Sequence, residues 1–522
     1  MNQYDIIVIG SGINSLITAS ILGRAGKKVL VIENRNQMGG MASTEEFSPG
    51  FKCNLINDVV KWIDPRVLDK LRLKDHGLEL IKPEIVRISL GDNNCQISFH
   101  QNPYDTAKSI ANHSELDAKV WKDFTQYINK LAYFLEKLYE IIPPSIPNIG
   151  IKEVFNMRSM LSPIIKHGTR GLVDFARVAP MMMPELVDEW FENELLRAAI
   201  ATAGIHHLSF GPFSSGTGYN LLHQHVYSKG IFHNAQFVKG GTSELANSII
   251  SSAEDANVEF WTNTKINSIN IEKGGCTGVT LNDNKTIQSK IVVSGVDPKN
   301  TLIKLIGPAS LNPNFQTQLN NIRYRGSTAR IHFALNKLPK INGVSKDQMG
   351  TVFSIAPSIE YLERASDAVK YGKLSNNPYI EFTIPSVINN DFAPIGKHVL
   401  SATIQYAPYY LREQKWSSEL NEKLKSNVLG VLEKKIPNFS SLIQSYSILS
   451  PLDLENQFGL TEGNLNHGEM TLDQFMFRRP TMTASNYKTP IENLYLCGPG
   501  THPGGGIHGT NGVNAAKIIL EK

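Results

Sequence analysis

The stretch YDIIVIGSGINSLITASILGRAGKKVLVIE, residues 4–33, decides the fold of this chain. Its first six residues form a β-branched run that is too short for a helix and predicts a buried strand. Residues 13–25 predict a helix that ends at Gly26, and residues 29–32 predict a second buried strand. A strand, a helix and a strand in this order predict a β-α-β unit whose two strands are parallel.

The turn between the first strand and the helix has the composition of a dinucleotide site. Gly10 permits a tight turn, and Gly12 lets the backbone approach a pyrophosphate. Ile13 and Asn14 stand at the helix N-terminus, where unpaired N–H groups attract anions. Glu33 closes the second strand and places a carboxylate where a ribose diol would bind. Its charge disfavours the 2′-phosphate of NADP, so NAD and FAD remain.

The residues after Glu33 distinguish between these two dinucleotides. The spacing Arg35-x-x-x-Gly39-Gly40 resembles the second glycine turn of FAD proteins of the glutathione-reductase type, and it is most similar to their phytoene-desaturase and amine-oxidase branch. In that branch the glycine pair runs under the flavin-side phosphate, and an arginine often follows where this chain has Met41. The resemblance implies FAD as the cofactor, with contacts from Asn34, Arg35, Gly39, Gly40, Met41, Ala42 and Ser43.

The resemblance covers nearly the whole chain. Residues 239–241, KGG, match a glycine pair before a helix, and residues 258–269 match the strand–turn–strand whose backbone clasps adenine, with Ile266 at the contact. Residues 293–298, VSGVDP, match a strand end with an Asp-Pro step. Residues 494–506, LYLCGPGTHPGGG, resemble the flavin-side motif of phytoene-desaturase-like proteins. The group called pyridine nucleotide-disulfide oxidoreductase domain-containing proteins is similar as well.

The glycines near the C-terminus also have a physical interpretation. Consecutive glycines let the backbone approach a flat isoalloxazine closely. A helix from about residue 512 would offer its positive N-terminus to the flavin N1–O2 edge, which gains negative charge on reduction. The predicted contacts at this end are Gly500, Gly505, Gly506, Gly512, Val513 and Asn514.

These patterns predict an α/β fold, with a Rossmann-type FAD-binding domain like that of glutathione reductase and a discontinuous α+β substrate domain. We assign residues 1–90, 235–300 and 485–522 to the FAD-binding domain, and residues 91–234 and 301–484 to the substrate domain. Within these, we expect a helix over about 105–142, a hairpin at 278–293, strands near 329–335 and 399–405, and a helix carrying Leu420 to Leu432. Residues 143–235 are expected to be loops and helices.

Composition excludes several classes of function. The net charge of +4 over 522 residues is a weak field and gives no reason to expect nucleic acid. Four cysteines without a C-x-x-C spacing argue against a redox dithiol, a zinc ribbon and a disulfide framework. No basic leader precedes the first strand, and no long apolar run could span a bilayer, so we expect a cytoplasmic protein. The oligomeric state is not indicated.

The substrate domain leaves peripheral membrane contact open. The apolar residues near Met181–Met183 and the segment 161–177 are interleaved with basic residues. This composition fits a membrane-surface patch that guards a lipid tunnel, and it equally fits core helices with solvated basic faces.

The histidines are the candidates for acid–base or metal chemistry. His502 and His508 flank the flavin-side glycines, and His502 is our candidate general acid–base residue. His223 and His225 would share one face of a strand, as two metal ligands might, but no third ligand is near them in the sequence. We therefore assign no metal.

The resemblance implies an FAD-dependent oxidoreductase. By analogy with carotenoid desaturases, it would dehydrogenate an apolar polyene, isoprenoid or lipid-like substrate by hydride transfer to flavin N5. Three alternatives stay open: a flavin-dependent double-bond isomerase, an amine oxidase, and a non-catalytic flavoprotein that serves as a binding partner. Gly216-x-Gly218 follows no strand, so nothing supports a second dinucleotide domain, and oxygen, a quinone or another acceptor would reoxidise the flavin.

Overall fold

The computed structural model describes residues 4–144, 158 and 161–521. Its strands are β1 (Tyr4–Ile9), β2 (Val29–Ile32), β3 (Thr44–Ser48), β4 (Phe51–Asn54), β5 (Leu80–Ile81), β6 (Ile85–Leu90), β7 (Gln96–His100), β8 (Phe237–Val238), β9 (Glu259–Trp261), β10 (Ile266–Glu272), β11 (Gly275–Leu281), β12 (Thr286–Ser294), β13 (Thr328–Leu335), β14 (Val352–Ile355), β15 (Tyr379–Thr383), β16 (His398–Gln405), β17 (Ile443–Leu449) and β18 (Leu494–Leu496).

The α-helices connect and cover these strands. They are α1 (Ile13–Arg24), α2 (Pro65–Leu71), α3 (Pro103–Ala111), α4 (Glu115–Tyr139), α5 (Leu161–Val178), α6 (Met183–Asp188), α7 (Glu194–Ile205), α8 (Thr217–Gln224), α9 (Ser243–Glu254), α10 (Pro313–Asn320), α11 (Ile359–Lys370), α12 (Ser418–Leu432), α13 (Pro451–Phe458) and α14 (Thr510–Leu520).

The first sheet gathers strands from three separated parts of the chain. Its parallel strands run in the order β9-β2-β1-β12-β18, and β10 and β11 extend it through antiparallel pairing with β12. Helices α1, α9 and α14 contribute buried side chains to the same clusters as these strands. This arrangement confirms the predicted Rossmann-type α/β fold, including the parallel β-α-β unit at its start.

The second sheet has the order β17-β13-β16-β15-β14-β6-β7 and is antiparallel except for the β14–β6 pair. Every residue of β13 is buried, because this central strand is covered on both faces. Helix α12 packs on the sheet through residues of the predicted apolar stripe, which are Leu420, Leu424, Val428 and Leu432. Helices α3, α4, α7 and α8 share another core.

The structure differs from the predicted boundaries in three places. The second sheet begins at Ile85, before the expected boundary at residue 90, because β6 pairs with β7 and β14. The expected helix over 105–142 is two helices, since Ser114 caps α4 by accepting the Asp117 N–H at 3.1 Å. The last helix starts at Thr510 rather than near residue 512. In the segment expected to be loops and helices, residues 145–157, 159 and 160 lie outside the described residues.

The placement of the His223–His225 pair on a strand is wrong. His223 lies in α8, and His225 is the C-cap residue that ends this helix. Two residues that are adjacent on one side of a strand therefore do not form a pair of aligned ligands here. No helix in the described ranges is long and apolar enough to cross a bilayer.

Candidate functional site

A cavity of about 460 Å³ opens at the carboxyl ends of β1, β2 and β12. Ligands of open parallel sheets bind at this edge, where the loops after the strands diverge. The structure brings most of the predicted cofactor residues together around it. These are Gly10, Gly12, Ile13, Asn14, Glu33, Asn34, Arg35, Gly39, Gly40, Met41, Ala42, Ile266 and Gly506.

The two glycine turns meet at the floor of this cavity. Gly12 and Gly39 form an isolated parallel bridge, and a Cβ built on Gly40 would lie 3.0 Å from the Gly12 Cα. Gly10 has a φ of +81°, which favours glycine. A Cβ built on Gly12 would meet nothing within 4 Å. Gly12 therefore faces an open cradle beside the N-terminus of α1.

Glu33 holds the cradle from the end of β2. Its Oε2 accepts hydrogen bonds from the Ser11 backbone N–H at 2.8 Å and from the Ser11 hydroxyl at 2.6 Å. Its Oε1 accepts the Arg35 N–H at 2.9 Å. The side chain is 8% exposed and lines the cavity, as the ribose interpretation requires.

Two buried polar atoms at the cavity wall have no protein partner within the described ranges. They are Asn14 Oδ1, at the start of α1, and His467 Nδ1. Burial lowers the pKa of His467 to about 4, so the imidazole is neutral near pH 7. Unsatisfied polar atoms at the wall of a cavity are the arrangement expected where a polar ligand binds.

Arg35 and Ser43 form a small network behind the second glycine turn. Arg35 donates to the Ser43 hydroxyl at 3.1 Å and pairs with Glu45. The Ser43 hydroxyl in turn donates to the Gly40 carbonyl at 2.6 Å. Ser43 does not line the cavity, so the structure gives it a supporting position under the turn.

Four predicted flavin contacts at the C-terminal end do not line this cavity. A Cβ on Gly512 would lie 2.4 Å from the Asn14 carbonyl, so this glycine permits α14 to pack against α1. Asn514 donates to the Tyr139 carbonyl and to the Tyr487 hydroxyl, each at 3.0 Å. Gly500 packs on Pro298, and Val513 lies in the core between α1 and α14. Their contacts with a flavin stay predictions.

A second cavity of about 100 Å³ adjoins the first, and Met41, Gly506 and Ile507 line both. Gly505 lines it as well, and its carbonyl accepts hydrogen bonds from His223 Nε2 at 3.0 Å and His508 Nε2 at 3.1 Å. The apolar part of its wall consists of Ile56, Val59, Val60, Trp62, Phe382, Leu465, Met470 and Ile507.

Charged side chains also line this smaller cavity. Arg330 donates to Asp58 at 2.7 Å. Behind the wall, Arg87 donates to Glu381 at 2.6 Å, and although burial alone would raise the pKa of Glu381, Arg87 and Lys61 hold it below its usual range. Sequence reasoning missed this set. Its one signal is Lys61, a lysine inside the apolar run VVKWI of residues 59–63.

His502 lies away from both cavities. It is fully buried, its Nε2 donates to the Leu138 carbonyl at 3.0 Å, and its ring packs edge-on against Tyr139. Burial lowers its pKa to about 3, so it is a neutral ring near pH 7. This position indicates a packing role and gives its predicted acid–base role no support. Among described residues, no three histidine, cysteine or acidic side chains cluster as metal ligands would.

Sequence comparisons agree with this geometry. The family described as flavin containing amine oxidoreductase matches residues 16–520. Pyridine nucleotide-disulfide oxidoreductase domain-containing protein 2 of Rattus norvegicus is 31% identical over 99% of this chain and 93% of its own length. One of the polypeptides of the limonene dehydrogenase of Castellaniella defragrans is 25% identical, covering 100% and 95%, and the lycopene-forming phytoene desaturase of Pantoea ananas is 24% identical, covering 97% and 96%.

A solved structure shows the same fold. An oxidoreductase from Methanosarcina mazei superposes with a TM-score of 0.62 at 14% identity and covers 100% of both chains. The cavity itself fits FAD. The open cradle at Gly12 has room for a pyrophosphate, Asn14 offers an unpartnered polar atom, and Glu33 stands at the ribose position. The chain belongs to the family of flavin-containing amine oxidoreductases and is a phytoene-desaturase-like, FAD-dependent oxidoreductase.

Proposed function

We propose that this protein dehydrogenates a largely apolar, isoprenoid- or lipid-like molecule. When bound, FAD supplies a hydride acceptor at flavin N5. The observation that carries the proposal is the second cavity, which meets the cofactor cavity at Met41, Gly506 and Ile507. A molecule held there would lie beside the segment that resembles a flavin-side motif.

The wall of the second cavity favours an apolar body. Trp62 stacks on His508, with ring centroids 4.3 Å apart and planes 2° from parallel, so the two rings form one flat wall. Ile56, Val60 and Met470 are apolar parts of the same lining. Among the relatives, limonene and phytoene are named as substrates, and both names denote apolar molecules.

An amine fits this cavity less well. At neutral pH a simple aliphatic amine is a cation, and its burial requires a neutralising partner. The two carboxylates near the cavity, Asp58 and Glu381, are already paired with Arg330 and Arg87. Lys61 adds a further amino group to the wall. This charge balance supports the dehydrogenation proposal over amine oxidation.

Peripheral membrane contact is part of the same proposal. Helix α5 exposes the side chains of Leu161, Ile165, Leu172 and Val173. Lys166 and Arg170 are exposed on the same helix. Apolar side chains interleaved with cations suit the surface of an anionic bilayer, from which a lipid-like substrate would be drawn. Location in the cytoplasm, next to such a surface, stays a prediction.

Anaerobic reduction of the bound flavin tests the proposed reaction. Apolar candidates, namely a monoterpene, a polyene and a fatty acyl ester, should bleach the flavin absorbance near ~450 nm. Primary amines should not bleach it. Bleaching by amines alone would replace the proposal with amine oxidation. An isomerised product without consumption of an electron acceptor would replace it with isomerisation, and an inert flavin across the panel would favour a non-catalytic binding role.

A further inference from the structure

The ionisable groups of the second cavity leave one cationic side chain without a carboxylate. Arg330 is paired with Asp58 at 2.7 Å, and Arg87 is paired with Glu381 at 2.6 Å. Lys61 Nζ has no carboxylate within 4.0 Å in the described part of the chain. It donates instead to the side-chain carbonyl of Gln224, at 2.5 Å. Three cations thus face two carboxylates.

The position of Lys61 makes this imbalance significant. It stands between Val60 and Trp62, in a wall that also carries Ile56 and Phe382. An ammonium group in such surroundings is destabilised unless an anion joins it, and burial accordingly lowers the pKa of Lys61 to about 7. The amide of Gln224 offers a hydrogen bond but no negative charge.

The neighbouring histidines do not supply the missing charge or add a competing one. His206, His207 and His223 line the same cavity, and burial lowers the pKa of all three, to about 3 for His207 and His223. Near neutral pH they are uncharged rings. The net charge of the cavity therefore depends on Lys61.

We infer that the second cavity binds a ligand that is apolar except for one carboxylate, and that Lys61 is the counter-ion of this carboxylate. This inference rests on the proposed function, because it specifies the substrate class of the same site. One carboxylate carries one negative charge and so matches the single excess cation, whereas a phosphate would bring more charge than Lys61 can balance. Paired in this way, the apolar remainder would extend toward Met41 and Ile507, where the two cavities meet.

Binding of three matched probes tests the inference. Hexanoate, hexan-1-ol and hexylamine share one apolar chain and differ in the charge of the head group. Isothermal titration calorimetry of the FAD-loaded protein at about pH 6.5 should show hexanoate binding at least about tenfold more tightly than hexan-1-ol, with hexylamine weakest. Equal binding of the acid and the alcohol would overturn the inference.

Variants locate the effect at Lys61. Lys61→Met should abolish the preference for hexanoate, and Lys61→Arg should retain most of it. Lys70→Met removes an exposed lysine of α2 and should leave the preference intact. An unchanged preference in a folded Lys61→Met variant would assign the carboxylate to another group. If Lys61→Met does not fold, the three-probe comparison on the wild-type protein still decides.

The outcomes separate this inference from the proposed function. A protein whose flavin is reduced by apolar substrates, but which binds hexanoate no better than hexan-1-ol, would retain the function and lose the inference. A protein that prefers hexanoate but whose flavin no candidate reduces would keep the binding site and lose the proposed reaction.

Discussion

Glu33 Oε2 accepts two hydrogen bonds from a single residue, Ser11, through its backbone N–H at 2.8 Å and its hydroxyl at 2.6 Å. This contact ties the end of β2 to the turn after β1. It holds the carboxylate at the cavity wall, 8% exposed, before any ligand binds. Preorganisation of this kind reduces the free energy needed to order a binding site.

Glu33→Gln should therefore weaken FAD retention. The neutral amide is a poorer acceptor for ribose hydroxyls, and one of its ends presents N–H groups to the Ser11 N–H. We expect the dissociation constant for FAD to rise about tenfold, measured by flavin fluorescence on reconstitution. Glu46→Gln changes an exposed carboxylate nearby and should have no effect. Equal flavin affinity in both variants would contradict the ribose assignment.

Gly12→Val should exclude the cofactor while preserving the fold. The φ of Gly12 is −61°, which any residue adopts, and its Cβ would enter open space rather than a neighbouring group. The valine side chain would fill the cradle in which a pyrophosphate is expected. The purified variant should lack the absorbance near ~450 nm.

Gly430→Val is the matched control for this variant. Gly430 lies in α12, is exposed, and also has nothing within 4 Å of a built Cβ. It should retain a full complement of flavin and unfold at a similar temperature, because valine has a slightly better helix propensity than glycine. Full flavin occupancy in Gly12→Val would show that the cradle is not the pyrophosphate site.

Arg330→Met should destabilise the protein strongly. Arg330 is 2% exposed, and its loss leaves the Asp58 carboxylate buried without a charged partner. Breaking a buried pair from one side costs about 3–5 kcal/mol, and thermal unfolding should report it as a lower Tm. The double variant Arg330→Met with Asp58→Leu removes both charges and should recover part of the loss. A double variant less stable than Arg330→Met would contradict this account.

Binding of hexanoate should weaken as the pH rises. The pKa of Lys61 is lowered to about 7 by burial, so its ammonium is present below that pH and lost above it. His207 and His223, with pKa values of about 3, stay neutral across this range, and Glu381 stays ionised beside Arg87. Calorimetry between about pH 6 and about pH 8.5 should show affinity falling by up to about tenfold per pH unit above pH 7. A flat profile in the wild-type protein would exclude an ammonium counter-ion.

Substitution on α5 should reduce membrane binding. Ile165 is 82% exposed, and the pair Ile165→Asp and Val173→Asp removes apolar contact while adding negative charge. Co-sedimentation with phosphatidylglycerol vesicles should fall by about tenfold or more. Ile395→Asp alters a fully exposed isoleucine outside this helix and should sediment as the wild type does. Equal loss in both variants would assign the binding to general surface charge.

The sequence by itself determined the cofactor cradle, because its parts are local. Strand β1, Gly10, Gly12 and α1 follow one another directly, and Glu33 closes the adjacent parallel strand. Short-range hydrophobic pattern and glycine placement fix such a unit, since only a few residues separate the strand from the turn and the turn from the helix. The C-terminal glycines were also recognised, but the position of α14 relative to the cavity was not.

Tertiary structure alone decided the composition of the second cavity. Asp58 and Lys61 come from a loop, whereas Arg330 and Glu381 come from β13 and β15 of the second sheet. Each is an ordinary charged residue in its own sequence context. Their pairing arises from strand order across hundreds of residues, and the shift in the pKa of Lys61 arises from burial, which no local pattern encodes. The same reason explains His502: its neighbouring glycines indicated a reactive position, and the packing of α4 against it made the ring part of the core.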